Sequence, residues 1–142
     1  MTVHELAHMW VPMIVGSNEK RHAWIDEGST TFLENQTEAG YWPDIPDQDA
    51  EDFEAYLEVA RAELEQSMMR HHDYYEPGPA GGTASYEKPA SLLVTLRNLM
   101  GEEAFMEGYQ SFIREWSFTV TTVMETDVFG TDQLHRLVGL ML

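Results

Sequence analysis

The sequence predicts an all-α, mainly helical fold, and three observations carry that expectation. Apolar residues recur at three- and four-residue spacing in every long segment, the period of a half-buried helix. Glycine and proline gather between those segments. The β-branched run at residues 119–123 could be extended but has no visible partner strand. With 142 residues, 43% of them apolar, the chain is long enough for one domain with a core and too short for two.

Taken in order, residues 2 to about 10 form the first helix, with Val3, Leu6, Ala7 and Trp10 as its apolar positions. Pro12 has no N–H to offer the carbonyl of His8, so the helix ends or kinks there. A loop follows at residues 16–21, then a second helix from about 23 to 38, which Gly40 stops. The longest helical signal runs from 47 to 72, with a stripe of Phe53, Leu57, Ala60, Leu64 and Met68. Residues 73–82, rich in Pro and Gly, are expected to lack regular structure. A helix from 87 or 89 to 100 turns Leu92, Leu93, Leu96 and Leu99 inward. After Gly101, residues 102–116 carry the stripe Phe105, Tyr109, Phe112, Ile113 and Trp116. Residues 132–140 have the pattern of a short last helix.

A formal net charge of −17, from 25 acidic and 8 basic residues, argues against nucleic acid or an anionic membrane as partner. No apolar run approaches the roughly 20 residues of a membrane-spanning helix. There are no cysteines, so disulfides and thiolate metal sites are excluded while the cellular compartment stays open.

The first helix holds the chemistry. His4 and His8 stand at i and i+4 in His-Glu-Leu-Ala-His, on one helix face, where both imidazoles reach a single metal ion. Glu5 lies roughly 100° round the helix, out of the ligand pair but placed to act as base on a water at that metal. Eighteen residues intervene between His8 and Glu27, which lies near the start of the second helix. Two histidines and a glutamate with an open fourth position make a catalytic zinc set, so one Zn²⁺ is the expected cofactor. Glu34, seven residues after Glu27, either orients a ligand or is an exposed helix carboxylate. His71 and His72 diverge as helix neighbours and are read as a solvated helix end. The acidic run 51–65 is read as a solvated face, with weak calcium binding a distant alternative.

The His-Glu-x-x-His motif, its eighteen-residue spacer and Asp26-Glu27-Gly28 resemble the gluzincin aminopeptidases related to aminopeptidase N and leukotriene hydrolase. Ser85-Tyr86-Glu87-Lys88-Pro89-Ala90 resembles that family's Tyr-x-Lys-Gly segment, and Leu99-Met100-Gly101-Glu102-Glu103 with Phe105, Gly108 and Tyr109 resembles the helix pair behind it. The resemblance covers about residues 1–117; residues 118–142 form a divergent tail. It implies the C-terminal helical subdomain of a thermolysin-like metallopeptidase catalytic domain, a peptide substrate, and a Tyr86 hydroxyl that helps stabilise the tetrahedral oxyanion. Met9, Asp26 and Pro89 depart from the usual Gln, Asn and Gly, and none of these changes removes a ligand. The family's amine-recognising Gly-x-Met-Glu-Asn loop is absent. A missing N-terminal part of the same protein is therefore expected, and the isolated chain is expected to be weakly active or inactive. A zinc endopeptidase, an epoxide hydrolase on the same scaffold, or a catalytically silent metal-binding fragment are the competing readings.

Overall fold

A computed structural model describes residues 1–118, and those residues are mainly helical with no named strand, as the periodicity predicts. Six α-helices are present among them: α1 (Thr2–Ala7), α2 (Ser29–Tyr41), α3 (Gln48–Arg61), α4 (Pro79–Ser85), α5 (Glu87–Met100) and α6 (Glu102–Trp116). A π-helical turn, Trp24–Gly28, leads directly into α2, and a 3₁₀ turn, His72–Tyr74, precedes α4. The expectations for 119–123 and 132–140 fall outside the described residues. None of the described helices is long and apolar enough to cross a membrane.

The core is the one the α6 stripe predicts. Phe105, Tyr109 and Phe112 are buried against Phe32 of α2, with the Phe32 and Phe105 rings 5.6 Å apart at 67° and Phe105 stacked on Tyr109 at 5.7 Å. Val11, Val15, Trp24, Ile25, Ala90 and Leu93 complete it. Beyond α1 the chain continues in turns, and the carbonyl of His8 that Pro12 cannot serve accepts from the Met13 N–H at 3.2 Å.

Three expectations are corrected. The helix predicted over 47–72 ends at Arg61, where Glu63 takes a left-handed φ of 58°. Its N–H donates to Ala60 O and that of Leu64 to Val59 O, a complete Schellman close built without the glycine that marks such ends in sequence. The segment predicted to be irregular contains α4, because Pro79 opens the helix at N1 and its small residues pack closely, with Ala80, Thr83, Ala84 and Ser85 buried.

The inward face of α3 is also rotated from its predicted stripe, whereas α5 turns Leu93 into the core and packs Leu96 against it, with only Leu99 of its stripe exposed. Phe53 is 45% exposed, Leu64 57% and Leu99 79%. The inward side of α3 carries half-buried Asp49 and Asp52 with buried Val59, and half-buried Arg97 of α5 meets Asp49 there. Arg97 donates from Nη2 to Asp49 Oδ2 at 2.9 Å and from Nη1 to Gln36 Oε1. Asn35 Nδ2 donates to Asp49 Oδ1 at 3.2 Å and to Asp52 Oδ2 at 2.7 Å. Hydropathy cannot see a face whose polar groups supply one another's partners.

At Gly28 the π turn touches the start of α5. A Cβ there would lie 2.3 Å from Pro89 Cγ and 3.3 Å from Ser85 O, and Pro89 itself is almost fully buried. Gly28→Ala is expected to destabilise the fold by about 1–3 kcal/mol through overpacking against a rigid ring. Chemical denaturation reads this as a lowered midpoint at unchanged slope. The same contact brings Glu27 up to the α4–α5 junction that carries Tyr86.

Candidate metal centre

Each imidazole of α1 is held by its Nδ1. His4 Nδ1 lies 3.0 Å from Glu34 Oε2, and Glu34 also accepts the Met1 amino group on Oε1 at 2.7 Å. Glu34 is thus largely shielded, with 15% of its side chain exposed, and its carboxyl lies below the ordinary range: hydrogen bonds and charge from the amino terminus and His4 outweigh its burial. His8 Nδ1 donates to the carbonyl of Val11 at 2.9 Å. Thr30, fully buried, donates to that same carbonyl at 3.1 Å.

Asp26 Oδ1 sits 3.0 Å from His8 Nδ1, yet that oxygen has no directed hydrogen bond, because the ring N–H points at Val11. Burial first, and then the neighbouring Glu27 charge, pushes the Asp26 carboxyl up to about 6 against the pull of His8.

With Nδ1 protonated toward these acceptors, each ring presents the lone pair of Nε2. Both point at Glu27, whose Oε2 lies 3.2 Å from His4 Nε2 and 3.5 Å from His8 Nε2. The three ligand atoms fall within 4.8 Å of one another, the one such group among the described residues. Three ligand-type atoms facing one point suit a cation, and His4 Nε2 and Glu27 Oε2 themselves lie at hydrogen-bond distance, 3.2 Å. The two distances to Glu27 Oε2, 3.2 and 3.5 Å, bracket the ~3.3 Å that separates tetrahedral ligands about 2.05 Å from a zinc ion. The donor set therefore fits zinc. The consecutive residues Asp26 and Glu27 both lie in the π turn and both approach the histidines.

Two cavities open beside the centre. The larger, about 410 Å³, is lined by the three ligands together with Glu5, Thr31, Glu34, Asp52, Tyr86 and Glu87. The smaller, about 200 Å³, lies across Glu27 and Tyr86 and includes Glu19, Lys20, Asp26 and His72. Glu5 is exposed in the larger cavity. Tyr86 stacks on His4 with ring centroids 5.8 Å apart at 27°. Burial, then Glu27, then Asp26 and Glu5 hold its hydroxyl well above the ordinary tyrosine range, so at neutral pH it keeps its proton and donates.

His4, His8, Glu27, Glu5 and Tyr86 are brought together as the sequence predicts. Of the two readings of Glu34, the structure places it on His4 rather than in solvent. His71 and His72 stand apart from the ligand cluster, with His71 accepting from the Asp73 N–H at 3.2 Å. Sequence reasoning missed the support given to His8 by Thr30 and the Val11 carbonyl. The one available signal was Thr30 at three residues past Glu27 on the same helical face.

A helix-borne histidine pair met by a glutamate from a second helix, with a cavity in front, defines the class of centre used by metal-dependent hydrolases. The chain belongs to peptidase family M1: the family's domain profile, described as "Peptidase family M1 domain", matches residues 1–133. It is 26% identical over 119 residues to aminopeptidase M1-C of Oryza sativa subsp. japonica, covering 82% of this chain and 14% of that protein. It is 32% identical over 125 residues to leucine aminopeptidase 2 of Neurospora crassa, covering 80% and 18%. With leucine aminopeptidase 2 of Chaetomium globosum it shares 31% identity over 124 residues, covering 80% and 20%. The chain thus spans at most about a fifth of the length of these relatives. No solved structure matches it.

Proposed function

We propose that this chain carries the zinc centre of an aminopeptidase that removes N-terminal residues from peptides. The observation that carries the reading is the convergence of His4 Nε2, His8 Nε2 and Glu27 Oε2 while both Nδ1 atoms are occupied elsewhere. The relatives' names support the peptide substrate and the exopeptidase direction.

Zinc bound by His4, His8 and Glu27 supplies Lewis acidity, which brings the pKa of water from 15.7 to about 7 and polarises a carbonyl. The chain's own residues do the rest. Glu34 and the Val11 carbonyl hold the two rings in the ligating tautomer. Glu5 takes the proton of the attacking water and returns it to the leaving amine. Tyr86, protonated and beside Glu27, donates its O–H to the oxygen on which negative charge develops.

The test is metal content. Dialysed protein is expected to hold one zinc per chain, removable by chelator, and Glu27→Gln is expected to weaken binding beyond the roughly 100-fold top of the range for outer-sphere partners. A chain that retains far less than one zinc overturns the reading.

A further inference from the structure

The hydroxyl of Thr30 is turned away from its own helix. A buried threonine on a helix has a ready acceptor in the carbonyl four residues back. Thr31 takes it, donating to Glu27 O at 2.8 Å. Thr30, fully buried on α2, instead crosses to the turn after α1 and donates to Val11 O at 3.1 Å. His8 Nδ1 meets the same two atoms, 2.9 Å from Val11 O and 3.2 Å from Thr30 Oγ1. Two elements distant in sequence thus close a triangle of ring nitrogen, hydroxyl and carbonyl.

That triangle fixes where its protons lie. The carbonyl brings none and the hydroxyl brings one. With Nδ1 protonated, every edge has a donor: the hydroxyl gives to the carbonyl, and the ring N–H is shared between the carbonyl and hydroxyl oxygens. With Nδ1 bare, the single hydroxyl proton serves either the ring or the carbonyl. The other acceptor is left unmet in a buried place, which costs about 1–3 kcal/mol.

We propose that Thr30 is a positioning residue of the metal centre and acts through His8. Its hydroxyl, with the Val11 carbonyl, fixes the Nδ1–H tautomer and so keeps the Nε2 lone pair facing Glu27 and the metal. This rests on the zinc centre proposed above. The two histidines are then supported unequally. His4 Nδ1 lies on a carboxylate, Glu34 Oε2 at 3.0 Å. His8 Nδ1 has a carboxylate at the same distance, Asp26 Oδ1, but that oxygen receives no directed hydrogen bond. The neutral pair Thr30 and Val11 takes the His8 N–H instead, so removing the hydroxyl acts on His8 and spares His4.

Two substitutions isolate the hydroxyl. Thr30→Val keeps the side chain's shape and deletes the hydroxyl, and Thr30→Ser keeps the hydroxyl and deletes a methyl. Imidazole ¹⁵N resonances, recorded on the metal-free 142-residue chain above the histidine titration range, report the tautomer of each ring. The unsubstituted chain is expected to show His8 as Nδ1–H, and Thr30→Val a mixture of tautomers at His8 with His4 unchanged. Zinc affinity, measured by competition with a chromophoric chelator, is expected to fall about 10–100-fold in Thr30→Val and to return in Thr30→Ser.

His8 found as Nε2–H in the unsubstituted chain overturns the inference, even where Thr30→Val fails to fold. So does zinc affinity unmoved by Thr30→Val. A loss that Thr30→Ser repeats also overturns it, because that loss belongs to packing and not to the hydroxyl. A His8 tautomer that follows the hydroxyl in a chain that binds no zinc defeats the metal reading and leaves the Thr30 assignment standing.

Discussion

Glu5→Gln is expected to lower kcat for an aminoacyl-arylamide by about 10²–10⁴ while leaving zinc content and KM nearly unchanged. The amide matches the carboxylate in shape and cannot accept a proton. The substitution costs no packing, because Glu5 is exposed on α1 and makes no side-chain hydrogen bond or ion pair among the described residues. A lost rate therefore reports on proton transfer and not on unfolding. The neighbouring groups are poorly placed to take over: Glu34 is committed to His4 and the amino terminus, and Tyr86 keeps its own proton. The measurement belongs on the active protein that contains this chain, with zinc determined on the same sample. Intact hydrolysis in the variant would remove Glu5 as the base.

Tyr86→Phe is expected to lower kcat by about 10²–10³, the usual effect of deleting one oxyanion donor. The ring stays, so its stacking on His4 at 5.8 Å is preserved and zinc is retained. A donor is useful only while protonated, and burial together with the carboxylates around Tyr86 keeps it so at neutral pH. Because the interaction strengthens as charge develops on the substrate, the loss should appear in kcat more than in KM. An unchanged rate would make Tyr86 a packing residue.

The two variants also separate the roles within the cavity. Glu5 moves a proton and Tyr86 holds one in place, so the Glu5 change alters the pH profile of kcat and the Tyr86 change lowers it throughout.

Much of the fold was legible because helix period and breakers are local properties. The α6 stripe was read correctly, since Phe105, Tyr109 and Phe112 pack against Phe32 with no polar competitor. The α3 stripe was misread for the opposite reason. Its inward side is stabilised by the pairing of Asp49 with Arg97, 48 residues away, and of Asp52 with Asn35. The end of α3 was invisible because Glu63 takes the left-handed position that sequence patterns reserve for glycine.

By itself the sequence determined the candidate ligands His4, His8 and Glu27 and the candidate base Glu5. Spacing of i and i+4 on a helix places His4 and His8 on one face whatever surrounds them, and the interval to Glu27, matching the family resemblance, marks the proposed third ligand. Only the tertiary structure decided which nitrogen of each ring faces Glu27, because that depends on Glu34 and the Val11 carbonyl coming back to Nδ1. It also decided that Asp52 and Glu87, 35 residues apart in the chain, line one cavity. A ligand's place on its helix is a matter of local geometry; whether a carboxylate is neutralised depends on everything packed around it.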